Sequence, residues 1–150
     1  MDDQAAARPQ DGAIMTPEEQ SALVKKHYAL NTAGDHAAAR ELLTDDFCIT
    51  IPPCMPFAGE YRGKDAFRTL IPLVAETVGL ASVKYIATTI GDDHAVEIVE
   101  FSLADGSTVD GAEVIRFRGH QICDIRPFYF DPTPMIAVAA QSKESGDSPA

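Results

Sequence analysis

Two periodicities divide the chain. From residue 16 to about residue 43 apolar residues return every three or four positions; Thr16 is a good N-cap, Pro17 suits the first helical position, and Glu19 completes a capping box. Leu23, His27 and Leu30 form one stripe of this first helix, with Tyr28 beside it, and Gly34 ends it. Asp35 caps a short second helix carrying Ala38, Leu42 and Leu43, and Phe47 to Ile51 reads as a strand. A third helix is expected over 64–78, with Phe67, Leu70, Ile71 and Val74 toward the core and a kink at Pro72. Beyond it the period shortens to two, giving strands over 82–90, 94–103, 108–118 and 121–130, with turn signals at Asp105-Gly106 and Gly119-His120. PTPMIAVAAQ is expected to close the chain as a short helix. Helices followed by a run of hairpin-linked strands predict an α+β domain, with helices on one face of an antiparallel sheet. The domain is expected over 16–142, between polar, disordered tails at 1–15 and 143–150.

The stretch GAEVIRF (111–117) puts Glu113, Ile115 and Phe117 on one strand face and Val114, Arg116 and Arg118 on the other. The first face is the more apolar, so a carboxylate is expected to point inward. If Asp105-Gly106 makes a two-residue type I′ turn, Ala104 pairs with Ser107, Glu100 faces Gly111 and Ile98 faces Glu113. Glu100 and Glu113 then share the inner face on a diagonal, about 7–8 Å apart at the backbone, with Gly111 leaving space beside Glu100. Two carboxyls in one apolar concavity raise the pKa of at least one, and a carboxyl kept neutral near pH 7 can donate a proton. On this register Val99, Phe101, Val114 and Phe128 fall on the outer face, which suggests a homodimer through the sheet.

PPCMPFAGEYRG (52–63) reads as a stiff loop, with three prolines in five positions and the apolar Cys54, Met55 and Phe57. These side chains either plug the end of the core or form a lid over a pocket mouth. The chain has 150 residues, 45% of them hydrophobic, which suits one core, and its formal net charge of −11 disfavours nucleic acid and anionic membranes as partners. No apolar run is long enough for a membrane span. MDDQAAARPQDGA has neither the basic nor the apolar region of a signal peptide, and Cys48, Cys54 and Cys123 are an odd, widely spaced set; a cytoplasmic protein with free thiols is expected. The four histidines lack HxH or HExxH spacing, CxxC is absent, and no GxGxxG, GxxxxGK[ST] or GxSxG occurs, so neither a metal nor a cofactor is expected.

HYALNTAGDHAAARELLTDDFCITIPP, the GEYRGKDAF that follows, and the ending IRPFYFDP together resemble the SnoaL-like members of the NTF2-like superfamily. Ketosteroid isomerases, limonene epoxide hydrolases and polyketide cyclases belong to the same superfamily. The resemblance covers about 16–135. It implies a cone, in which a strongly curved antiparallel sheet wraps around three helices and encloses one apolar pocket, often in a dimer. It implies acid–base chemistry on a small hydrophobic molecule, or non-catalytic binding of such a ligand, or a dimerising accessory role. Carried over residue by residue, the isomerase oxyanion-hole tyrosine falls at His27, with Tyr28 next to it, and the isomerase's protonated aspartic acid falls at Glu113. The isomerase base falls at Ile51, which cannot accept a proton. The arginine–aspartate motif of the epoxide hydrolases meets Arg126-Pro127. Glu113 is thus the expected acid or oxyanion donor, His27 or Glu100 the expected base, and Tyr129 an assisting hydroxyl. Ile51, Met55, Phe57, Phe67, Leu70, Ile98, Ile115, Phe117, Ile125 and Pro127 are the expected pocket lining.

Overall fold

The computed structural model describes residues 14–146; residues 1–13 and 147–150, expected as tails, lie outside the described residues. The elements are α1 (Pro17–Thr32), α2 (His36–Arg40), β1 (Leu43–Ile51), β2 (Gly59–Arg62), α3 (Ala66–Val78), β3 (Leu80–Ile90), β4 (His94–Leu103), β5 (Thr108–Arg118), β6 (Gln121–Tyr129) and α4 (Thr133–Gly146). The six strands form one curved sheet in the order β2-β1-β6-β5-β4-β3. The core lies between its inner face and the helices, around Phe47, Leu43, Ile115, Ile122 and Ile125. Among the described residues no helix is long and apolar enough to cross a membrane.

Local chemistry explains the element ends. Thr16 accepts from the Glu19 amide, and Glu19 accepts from the Thr16 amide at 2.8 Å, so the expected capping box starts α1. Asp35 caps α2 by accepting from the Ala38 amide at 3.1 Å. Pro72 sits inside α3 without ending it; it is exposed, so the carbonyl that loses its amide partner lies on the solvent side. Asp131 accepts from the Thr133 amide at 3.0 Å where α4 begins.

Four elements differ from expectation. Leu43 opens β1 and does not belong to a helix. The loop 52–63 contains a strand, β2, which pairs antiparallel with β1 as Ile51↔Gly59 to Cys48↔Arg62. The sheet is not wholly antiparallel: β1 and β6 run parallel, which the long chain path between them permits. α4 extends to Gly146, into the segment expected as tail, and Met15, at the other expected boundary, is buried.

The decisive difference is in the β4–β5 turn. Ala104, Asp105 and Gly106 make a three-residue connection, closed by Leu103 N–H donating to Ser107 O at 2.9 Å and Gly106 N–H donating to Leu103 O at 3.0 Å. Gly106 takes φ +89°, and the Asp105 carboxylate accepts from the Ser107 amide at 2.9 Å. One extra turn residue moves the register by one, and a one-residue slip exchanges the faces of a strand. Glu97, not Ile98, therefore stands opposite Glu113, and Glu100 stands opposite Asp110. Ala95, Glu97, Val99, Phe101 and Leu103 are all buried on the inner face. The expected outward Val99 and Phe101 are core residues, and Ile98, expected in the pocket, is 39% exposed outside.

Gly111 likewise has a different role. Its partner is Val99, and a Cβ there would lie 2.8 Å from the Phe128 carbonyl oxygen and 3.1 Å from the Phe101 ring. The missing side chain makes room for a neighbouring strand's backbone and for Phe101, not for Glu100. Because backbone cannot step aside as a side-chain tip can, Gly111→Ala is expected to cost roughly 1–3 kcal/mol of unfolding free energy in urea titration. An unchanged midpoint would show that the strand yields without strain.

Candidate functional site

A cavity of about 360 Å³ opens between α1, α3, α4 and the inner face of the sheet. Its wall is mostly apolar, with Ile49 and Ile51 from β1, Phe57 from the loop, Phe67, Leu70, Ile71 and Val74 from α3, Val83 from β3, Phe101 from β4 and Met135 from α4. Its polar groups are few: Tyr28, Asn31, Thr32, Ser82, Tyr85, Glu113 and Tyr129. A concave, mostly apolar volume of this size with a few converging polar groups has the form of a small-molecule site.

Among the described residues Glu113 is its only carboxyl. The side chain is 8% exposed, and the Tyr28 hydroxyl donates to its Oε2 at 2.5 Å. Tyr28 comes from α1 and stacks on Tyr85 of β3, ring centroids 4.2 Å apart, so its ring is fixed before its hydroxyl reaches the sheet. Burial pushes the Glu113 pKa up to about 7; the Tyr28 hydrogen bond opposes the shift and the Glu97 carboxyl adds to it. Burial, with Glu113 second, pushes the Tyr28 hydroxyl well above its ordinary range. Tyr28 therefore remains a donor at neutral pH, and Glu113 passes between acid and carboxylate there.

The other expected site residues divide. Tyr129 lines the cavity, with its ring 5.6 Å from that of Phe101, and burial, then Glu113, raises its pKa. Ile51, Phe57, Phe67, Leu70 and Pro127 line the cavity. Met55, Ile115 and Ile125 are buried in the core behind it, and Phe117 is half-buried against that core. Met55 and Phe57 of the proline-rich loop are thus both buried, one behind the cavity and one in its wall.

Two expected bases are elsewhere. Glu100 points away from the cavity, because the three-residue turn reverses its face. His27 follows the helix: neighbouring residues on α1 diverge by about 100°, so while Tyr28 faces the cavity, His27 packs against Phe67, ring centroids 5.0 Å apart. Asn31 Nδ2 lies 3.1 Å from His27 Nε2, and burial lowers the histidine pKa to about 4, so the ring is neutral at pH 7. It borders a separate, water-sized cleft with His36 and Arg40.

Sequence reasoning missed Glu97. The odd positions of β4, from Ala95 to Leu103, carry four apolar residues and Glu97, whereas the even ones include Glu100 and Ser102. That contrast favoured the odd face as the inner one, against the apparent two-residue turn.

A curved sheet wrapped around helices is the architecture of NTF2-like, or cystatin-like, proteins, and solved structures agree. A structure of Bal32a from a soil-derived mobile gene cassette shares 20% identity at a TM-score of 0.69, covering 78% of this chain and 93% of that one. An NTF2-like protein from Burkholderia xenovorans shares 19% identity at 0.69, covering 84% and 99%. A protein of unknown function with a cystatin-like fold from Methylobium petroleophilum shares 18% identity at 0.68, covering 80% and 81%. Such identities establish a common fold. The family model of the SnoaL-like domain matches residues 24–125, and the chain belongs to that family. A comparison with curated proteins returned no match.

The buried carboxyl ties stability to pH. Its folded pKa of about 7 lies above the ordinary 4.5, so its full contribution is present below 4.5 and is lost as pH rises through about 7. That gap corresponds to roughly 3 kcal/mol. Glu113→Gln, which cannot ionise, is expected to gain up to about that much relative to wild type between pH 5 and pH 8, read from urea unfolding at both. A difference that does not change with pH would mean an ordinary solvated carboxylate.

Proposed function

We propose that the chain takes a small, largely apolar molecule into the 360 Å³ cavity and acts on it by acid–base chemistry centred on Glu113. The observation that carries this reading is the Tyr28–Glu113 hydrogen bond inside an apolar wall. Tyr28 occupies Oε2, which leaves Oε1 for a ligand. As a neutral acid, Glu113 donates to a carbonyl or ether oxygen of the substrate; as a carboxylate, it takes a proton from an adjacent carbon. A group that populates both forms at neutral pH can remove a proton at one atom and return it at another, with Tyr28 steadying the charge. This suits isomerisation, cyclisation or hydrolysis, and it needs no second base at Ile51.

The test is proton exchange. Apolar enolisable ketones such as cyclohexanone, incubated with the protein in deuterated buffer, are expected to lose their α-proton NMR signals at a rate that climbs with pH through about 7. Glu113→Gln is expected to slow this by about 10²-fold or more. Wild-type exchange no faster than the variant's, with apolar ligands still bound, would leave the second reading: a binding protein whose carboxyl only orients its ligand.

The same reading includes a cytosolic location, supported by three free cysteines, and a homodimer. The dimer is supported by Ile86, Ile98 and Phe128, exposed by 53%, 39% and 59% on the outer sheet face. Light scattering is expected to give twice the chain mass for wild type and the single mass for Ile98→Lys. A monomeric wild type at micromolar concentration would refute the dimer.

A further inference from the structure

The acid in the cavity has a second carboxyl across from it. Glu97 on β4 is paired in register with Glu113 on β5, both inward, 3% and 8% exposed. Side chains so placed start from Cβ atoms about 4.5–5.5 Å apart, and like charges there repel. Yet Glu97 does not line the 360 Å³ cavity. It lies under a separate cleft, bordered by Lys25, Ala29 and Thr32 of α1. The stacked Tyr28 and Tyr85 line both spaces and form the wall between them.

The surroundings of the two carboxyls differ. Thr88 Oγ1 donates a hydrogen bond to Glu97 Oε2. The titratable or charged groups facing Glu97 are Lys25 and Tyr28 from α1, Tyr85 from β3 and Glu113 from β5. Among the described residues those facing Glu113 are Tyr28, Tyr85, Glu97 and, from β6, Tyr129, and none of these is a cation. Burial raises the Glu97 pKa, while Thr88 and the Lys25 ammonium pull it down. The negative charge is therefore better housed on Glu97, beside the cleft and the lysine, and the proton on Glu113, inside the apolar cavity.

We propose that Glu97 and Glu113 act as one carboxyl pair sharing a single proton near neutral pH, with Glu97 a positioning residue that carries the charge and holds the proton on Glu113. The proposal rests on the reading of Glu113 as the acid–base group. It adds that the pair, not Glu113 alone, sets the pH at which the site changes form.

The experiment is a carboxyl-carbon NMR titration of the full chain, wild type, Glu97→Gln and Glu113→Gln. In Glu97→Gln, whose amide oxygen can still accept from Thr88, the Glu113 midpoint is expected to fall by about one pH unit, a tenfold loss of proton affinity. Glu113 is still neutral while Glu97 loses its proton, so in Glu113→Gln the Glu97 midpoint is expected to stay within about 0.3 units of its wild-type value, below that of Glu113; Glu97→Ser, which also removes the charge, decides the matter if Glu97→Gln does not fold. A Glu113 midpoint near 7 that moves by less than about 0.3 units when Glu97 is replaced, or a Glu97 midpoint that falls in Glu113→Gln, would overturn the pair with its charge on Glu97 while leaving the acid–base reading intact. A wild-type Glu113 midpoint near 4.5 would overturn that reading itself.

Discussion

The length of one turn decides which side chains of β4 this molecule buries. Three residues, Ala104 to Gly106, connect β4 to β5, and the Asp105 carboxylate and the left-handed Gly106 hold them. The odd residues of β4 are thereby directed inward. Val99, Phe101 and Leu103 enter the core, and Glu97 is brought opposite Glu113. With a two-residue turn the same strand would bury Glu100 and Ile98 and leave Phe101 in solvent. Apolar burial of about 1.5–3 kcal/mol for each large side chain outweighs the preference of any one turn type, so core and turn agree on the register that also juxtaposes two carboxyls.

Burying those carboxyls is costly, and the fold limits the cost in different ways. Glu113 has a hydroxyl donor, Tyr28, anchored by stacking on Tyr85, and it relieves the remaining penalty by staying protonated to about pH 7. Glu97 has Thr88 and a nearby lysine. The result is a proton held next to a cavity that is otherwise nearly all hydrocarbon. Proton donors of this kind gain strength from the dryness around them, because little solvent competes for their hydrogen bonds.

The fold is shared with many structures at about 20% identity, and a fold hosts many chemistries. The chemical character of this chain's cavity lies in a few inward positions: Ile51 where the isomerase resemblance would put a base, Glu113 as its only carboxyl among the described residues, and a Tyr28–Tyr85 wall separating it from the outer cleft. On the proposed acid–base reading, one carboxyl in the cavity calls for a single group that both gives and takes a proton.

Much of this was readable from residue order. Capping at Thr16, the 3.6-residue stripe of α3 and the two-residue alternation of β3 to β6 are local properties, written in neighbouring residues, and they gave the α+β order and the inward Glu113. β2 was hidden because its four residues lie in a proline- and glycine-rich segment and exist as a strand only when paired with β1. The parallel β1–β6 contact and the extent of α4 depend in the same way on partners distant in sequence. The choice between His27 and Tyr28, adjacent on one helix, follows from how α1 is rotated against the sheet, a matter of packing. So does the pairing of Glu97 with Glu113. Sequence by itself determined the elements and the inward acid, because their signals are local; only the tertiary structure decided the acid's partners, because register and helix rotation are set by the whole core at once.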